Sequence, residues 1–371
     1  MKYIDEYRSR EYAGMLSRAI RRTATQPWRI MEICGGQTHA IARYRLEEML
    51  PPGIRLLHGP GCPVCVTPER LVDGAIRLAA QPGVLLATFG DMMRVPGSRS
   101  DLFRAKARGA DVRMLYSPLD AVHLAATHPE KEVVFFAIGF ETTLPVHLTA
   151  LKEAIRRGLA NFSLLTSFFL VPPAMEAILS DPDCRVDGFL AAGHVCSVTG
   201  TAAYEPLAER YRKPVVVAGF EPVDLLYGLH RCICRLEAGE YGVENAYTRA
   251  VPEGGNPRFQ ALMDEMLEPC EGDWRGIGHI AASSLRLRPA YGAYDACRRF
   301  AFLTEEGATD ADTEETPRSA AAGCLAGEIM RGRKQPSDCP HFGKGCSPDH
   351  PIGAPMVSAE GVCAGYFHTE S

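Results

Sequence analysis

Thirteen of the 371 residues are cysteines, and their spacing suggests which of them do chemistry. Four form a tail pattern, Cys324-x14-Cys339-x6-Cys346-x16-Cys363, in a stretch poor in large aliphatic side chains. Metal ligation can stabilise such a segment where a hydrophobic core cannot. Structural zinc and an iron–sulfur cluster both accept four thiolates. Zinc sites commonly use closely spaced cysteine pairs, and this tail has none, so the wide spacing favours a [4Fe–4S] cluster over zinc or unliganded thiols. Cys62-Pro63-Val64-Cys65 is a dithiol just before Thr67, which reads as a helix N-cap followed by Pro68 and Glu69. The partial positive charge of a helix start favours thiolate, which suits a reversible disulfide. Half of a zinc site is the other reading, but no second C-x-x-C completes it. Cys34 is a lone thiol followed by Gly35-Gly36, with His39 five residues on and a helix expected from near Thr38. It reads either as buried filler or as an exposed metal ligand. Cys184, Cys196, Cys232, Cys234, Cys270 and Cys297 are assigned to packing.

Composition narrows the setting. Forty basic against forty-five acidic side chains leave a net charge of −5, which argues against a nucleic-acid binder. The longest apolar runs fall far short of the roughly 18 residues of a membrane span. The first ten residues are charged and lack an apolar signal core. A cytoplasmic protein is expected, and in a reducing compartment an odd number of cysteines is not a disulfide framework.

The elements that must position these groups alternate. Apolar runs of strand length at 29–33, 54–57, 84–89, 112–116, 133–138, 164–169, 188–191 and 214–218 lack strict polar alternation, as strands covered on both faces do. Helix-length segments separate them, one opened by Pro145 with Leu144, Leu148, Leu151 and Ile155 on one face and closed by Gly158. An amphipathic helix over 6–22, with Tyr7, Met15, Leu16 and Ile20 as its apolar side, precedes the series. The fold class is therefore α/β, with parallel sheets.

Glycine-bearing turns follow most of these strands. They carry Cys34 and His39, Cys62 and Cys65, Gly90-Asp91, Gly139-Phe140-Glu141-Thr142-Thr143, Gly193-His194 and Gly219-Phe220-Glu221. Ligands of open α/β sheets bind at the carboxyl ends of strands, so these groups are expected to face one cleft. Each also has a plainer reading: tight βα turns for the glycines, a satisfied structural histidine for His194, a helix start for Glu221 and a turn cap for Asp91. Breakers at 251–257 and an acidic stretch at 304–318 suggest boundaries. The expected organisation is an N-terminal helix at 1–28 packing on the C-terminal domain, an α/β domain at 29–120, a second at 121–250 across a central cleft, and a cysteine-rich iron–sulfur domain at 251–371.

Taken in order, the turns resemble the HypD family of [NiFe]-hydrogenase maturation factors. The matching text includes Met31-Glu32-Ile33-Cys34-Gly35-Gly36-Gln37-Thr38-His39, Gly59-Pro60-Gly61-Cys62-Pro63-Val64-Cys65, Thr88-Phe89-Gly90-Asp91-Met92-Met93-Arg94-Val95-Pro96-Gly97 and Gly139-Phe140-Glu141-Thr142-Thr143. Gly193-His194-Val195, Val217-Ala218-Gly219-Phe220-Glu221-Pro222, Trp274-Arg275-Gly276-Ile277-Gly278 and Met356-Val357-Ser358-Ala359-Glu360-Gly361-Val362-Cys363 continue it. The resemblance implies a scaffold on which an iron bearing two cyanides and one carbonyl is assembled for a hydrogenase large subunit. On that basis Cys34 would ligate the iron together with a thiolate of a small HypC-like chaperone. Cys62 and Cys65 would be a redox dithiol, and Cys324, Cys339, Cys346 and Cys363 would hold a [4Fe–4S] cluster. His39, Asp91, Glu141, Thr142, His194, Glu221 and Glu360 would line the site. Cyanide would come from a HypE-like partner, which agrees with the lack of a P-loop pattern here. Some members carry a second histidine in the first motif, where this chain has Gln37.

Soft thiolates suit low-spin iron with diatomic ligands, and a cluster can collect single electrons for a disulfide that needs two. The rival readings are a [4Fe–4S]-dependent thiol–disulfide oxidoreductase without the iron–diatomic centre, and a zinc-stabilised interaction protein. Whether the scaffold counts as an enzyme is open, because no single turnover reaction follows from these residues.

Overall fold

The structure, a computed structural model, describes residues 4–303 and 323–370. The acidic stretch expected as a linker at 304–318 lies outside the described residues. Among the described residues eleven strands form two sheets. Strands β1 (Trp28–Glu32), β2 (Ile54–His58), β7 (Gly188–Ala192), β8 (Pro214–Ala218) and β9 (Gly242–Asn245) make a parallel sheet in the order β2-β1-β7-β8-β9. Strands β3 (Val84–Phe89), β4 (Val112–Leu115), β5 (Glu132–Gly139), β6 (Phe162–Phe169), β10 (Leu267–Trp274) and β11 (Gly278–Leu287) make a mixed sheet in the order β10-β11-β6-β5-β3-β4. Strands β6, β5, β3 and β4 are parallel; β11 runs antiparallel to β6, and β10 to β11. Both sheets are covered by helices, which is why the strands read as unbroken apolar runs.

The sheets do not follow the expected boundaries. The stretch 29–120 gives two strands to each sheet, as does the part of 121–250 up to β8, and the hairpin β10–β11 draws residues after 251 into the mixed sheet. Apolar runs identify strands, but the crossover connections decide which strands pair. The hairpin escaped the sequence reading because only one face is buried, through Leu267, Trp274, Ile280 and Leu287, so polar residues interrupt its apolar ones.

Helix α1 (Arg10–Thr23) starts four residues later than expected, with Ser9 as its N-cap. It buries Ala13, Ser17 and Ile20, while Met15 stays half exposed. It packs on helix Pro222–Ala238, beside the parallel sheet. One continuous buried cluster joins the two sheets, including Met31, Leu57 and Phe189 from one and Leu86, Val134 and Leu165 from the other. Among the described residues no helix is long and apolar enough to cross a membrane.

Candidate metal and thiol site

Strands β1 and β2 are register partners, Glu32 opposite His58, so the turns after them emerge side by side. Cys34 is the N-cap of α2 (Gly35–Arg43). Cys62 is the N-cap of the short helix α3 (Pro63–Val66), its Sγ accepting the Cys65 amide at 3.3 Å. Two expectations are corrected here. Thr67 is not the N-cap of the following helix but the C-cap of α3; its hydroxyl donates back to the Pro63 carbonyl at 2.8 Å, and the next helix, α4, spans Glu69–Ala79. The helix after Cys34 starts at once, not near Thr38. The sulfur at the start of α3 is therefore that of Cys62, which is joined to Cys65 in a disulfide. The Gly35 amide donates to the Gly61 carbonyl at 3.1 Å. Only glycine at position 61 allows this contact, since a β-carbon there would lie 2.3 Å from the Cys34 nitrogen.

The turns after β7 and β8 complete the surroundings of Cys34. His194 brings Nδ1 to 3.7 Å and Nε2 to 3.9 Å from the Cys34 Sγ, and its ring stacks on Phe220 with centroids 5.0 Å apart. Gln37 is fully buried and donates its amide toward the carbonyls of Ala218 (3.1 Å), Gly219 (3.3 Å) and Ala191 (3.4 Å). It therefore ties α2 to the carboxyl ends of β7 and β8. Burial pushes the Cys34 thiol well above its usual range, and the Glu32 charge adds to this; the backbone amides of Gln37 and Gly36 only partly oppose it. A thiol held this way stays protonated until a cation arrives to stabilise the thiolate. Burial also lowers His194 to about 4, so its imidazole is neutral.

His39, Asp91 and Glu360 form a second group nearby. His39 Nδ1 lies 3.1 Å from the Ala359 carbonyl. The Glu360 carboxyl is raised by burial and by the Asp91 charge, with His39 opposing. Other candidates face different partners. Glu221 forms a bidentate pair with Arg8, at 2.5 and 2.8 Å. Glu141 accepts the Val171 amide at 2.8 Å, while its second oxygen and the Thr142 hydroxyl are buried without a hydrogen-bond partner. Burial raises Glu141 to about 7. Of the cysteines assigned to packing, Cys196 and Cys232 are buried; the other four are partly exposed.

The sequence reading missed Glu32 as a site residue. Its carboxylate accepts the Cys34 amide at 2.8 Å, the Thr38 hydroxyl, and a contact from His58 Nδ1 at 2.8 Å. An acid in a strand buried on both faces was the available signal.

The four tail cysteines line one largely apolar cavity with Ile329, Phe342, Ile352 and Met356. The Cys346 Sγ accepts the Ile352 amide at 3.3 Å. A β-carbon at Gly353 would lie 2.7 Å from the Cys324 Sγ. Burial raises the Cys324 and Cys363 thiols, and the neighbouring tail sulfurs raise them further. Four sulfurs around one apolar cavity, with a backbone amide donating to Cys346, suit a cluster. Among the described residues no group of three or more His, Cys, Asp or Glu is placed to hold a single metal ion. Helix α3 packs on the turn Ala354–Met356, whose Pro355 and Met356 line this cavity. The hairpin turn after β10 holds the other end of α3, the Arg275 amide donating to the Val66 carbonyl at 2.8 Å.

A protein-family model described as "HypD: Hydrogenase formation hypA family" matches residues 11–370. Hydrogenase maturation factor HypD of Rhizobium leguminosarum bv. viciae is 48% identical over 377 residues, covering 99% of this chain and 95% of that protein. The HypD of Rhodobacter capsulatus is 48% identical over 375 residues, with 99% and 98% covered. That of Escherichia coli (strain K12) is 42% identical over 375 residues, with the same coverage.

Proposed function

The chain belongs to the HypD family of hydrogenase maturation factors, and on that premise we propose that it is the scaffold on which an iron carrying two cyanides and one carbonyl is assembled. One observation carries this reading: the buried Cys34 sulfur lies beside neutral His194, and the loop bearing the Cys62–Cys65 disulfide rests on the Cys34 backbone. The iron is cargo. Cys34 would hold it jointly with a thiolate from a HypC-like chaperone, a HypE-like partner would deliver cyanide, and a hydrogenase large subunit would be the eventual recipient.

The residues of this chain divide the work. Cys34 loses its proton as the iron binds, because the metal charge replaces the solvation that burial removes. His194, neutral and stacked on Phe220, fixes the volume next to the sulfur where small linear ligands would sit. His39, Asp91 and Glu360 set the polarity of the nearby group. Cys62 and Cys65 form a redox pair: two electrons and two protons break the S–S bond and leave two thiols. Cys324, Cys339, Cys346 and Cys363 fit a [4Fe–4S] cluster, which supplies electrons one at a time. Four cysteines lining one cavity match the ligand number of that cluster. In this reading the tail is the iron–sulfur unit, and the Cys34 and Cys62 turns open on one cleft at the carboxyl ends of the strands.

Anaerobic purification followed by iron, sulfide and zinc analysis tests the resident metal. About four iron and four sulfide per chain, without zinc, is the expected result. Zinc without iron would replace the scaffold with a zinc-stabilised interaction protein.

A further inference from the structure

A chain of hydrogen bonds joins the cluster-bearing end of the molecule to the turn that presents Cys34. Glu32 is fully buried, and one of its oxygens accepts the Cys34 amide at 2.8 Å. The other is 2.8 Å from Nδ1 of His58, itself only 2% exposed. The His58 Nε2 lies 2.6 Å from the Tyr366 hydroxyl, and Tyr366 donates to the exposed carboxylate of Glu47 at 2.6 Å. Tyr366 is three residues beyond Cys363 on the helix Val362–Glu370, which packs against α2.

Proton counting gives this chain a direction. Three hydrogen bonds link two carboxylates that only accept, so three protons are needed. A tyrosine and a neutral imidazole supply two. The bonds can all form at once when His58 donates from both nitrogens, with Glu32 and Glu47 as the charged ends. Burying such a pair is favourable only when every member is satisfied, so losing the Tyr366 link weakens the hold of His58 on Glu32.

We propose that Tyr366 is a positioning residue, acting through His58 and Glu32 to couple ligation of the tail cysteines to the conformation of the Cys34 turn. The coupling rests on the cluster assigned to the tail. Ligation of Cys363 would seat the helix Val362–Glu370, Tyr366 would dock on His58, and Glu32 would then lock the first turn of α2. An unloaded tail would leave Cys34 loosely held. The two inorganic tasks would thus be ordered, with the cargo site firm only after the resident cluster is in place.

The test is the rate at which iodoacetamide alkylates Cys34 in the full chain, read by peptide mass spectrometry under anaerobic, non-reducing conditions. Iron content and visible absorption are recorded on the same samples. Removing the cluster from the wild-type protein should speed alkylation about tenfold, the scale of a net hydrogen bond to a charged group. Tyr366→Phe should give the fast rate with the cluster still bound. Glu47→Gln, a surface change that spares the fold, should give part of the increase alone and none in the Tyr366→Phe background, since residues acting in one chain are not additive. Equal rates in Tyr366→Phe and the wild type, both loaded, would overturn the proposal. So would additive effects of the two substitutions. A wild-type protein without iron or cluster absorption would instead refute the cluster reading, and the alkylation rates of the variants would still report on the hydrogen-bonded chain.

Discussion

Gly61 lies against the backbone of Cys34, where a β-carbon would come within 2.3 Å of the Cys34 nitrogen. The turns that carry the lone thiol and the disulfide can approach this closely only because that side chain is absent. Gly61→Ala should therefore push the two turns apart, destabilising the protein by about 1–3 kcal/mol as overpacking does. The Cys62–Cys65 disulfide should still form, while capture of cargo iron falls. Thermal unfolding and iron retention after co-expression with the chaperone check this; wild-type retention would show that the two turns work independently.

Cys62 has two separable roles, because its sulfur caps α3 as well as pairing with Cys65. Serine is a strong N-cap, so Cys62→Ser should keep the helix start and lose only the redox pair. Cys62→Ala should lose both, with an additional destabilisation of about 1 kcal/mol. Chemical denaturation of the two variants measures the difference, and identical midpoints would mean that the cap contributes nothing.

Much of this was legible in the sequence. Unbroken apolar runs gave eight strands of the two sheets, because burial on both faces leaves a direct mark on composition. Cys34 and His194 do meet, and the Gly61 carbonyl next to Cys62 accepts the Gly35 amide next to Cys34, so turns at the carboxyl ends of parallel strands lie side by side. Three things were hidden. Pairing of β1 with β7 across more than 150 intervening residues depends on crossovers that local pattern does not encode. The half-exposed hairpin β10–β11 lacks the apolar run of a fully covered strand. Gln37, noted only as a departure from a histidine, proved to be a buried tie to three carbonyls, and His58 and Tyr366 gained importance only through contacts remote in sequence.

At the tail, a β-carbon on Gly353 would press within 2.7 Å of the Cys324 sulfur. Gly353→Ala removes no cysteine, yet it should lower iron and sulfide content and bleach the visible absorption of the anaerobic protein. Full cluster content in this variant would mean that Cys324 adopts another position when ligated.

The buried carboxyl of Glu141 titrates near 7, above the ordinary 4.5. The folded state thus holds this proton more tightly than the unfolded chain does. The stabilisation is complete below about 4.5 and is lost as the pH rises through about 7. Glu141→Gln abolishes that dependence. Its stability relative to the wild type should climb across this window, by about 1.4 kcal/mol for each unit of displacement, and then level off. Denaturant unfolding at a series of pH values measures the climb; a pH-independent difference would show that the carboxyl is hydrated.

The most direct measurement is infrared spectroscopy of the chain purified without air together with a HypC-like protein. Cyanide and carbonyl stretching bands are expected in the wild-type complex. They should vanish in Cys34→Ala while the visible absorption of the tail cluster persists. Bands unchanged by that substitution would remove Cys34 as the iron ligand and with it the assignment of the cargo site.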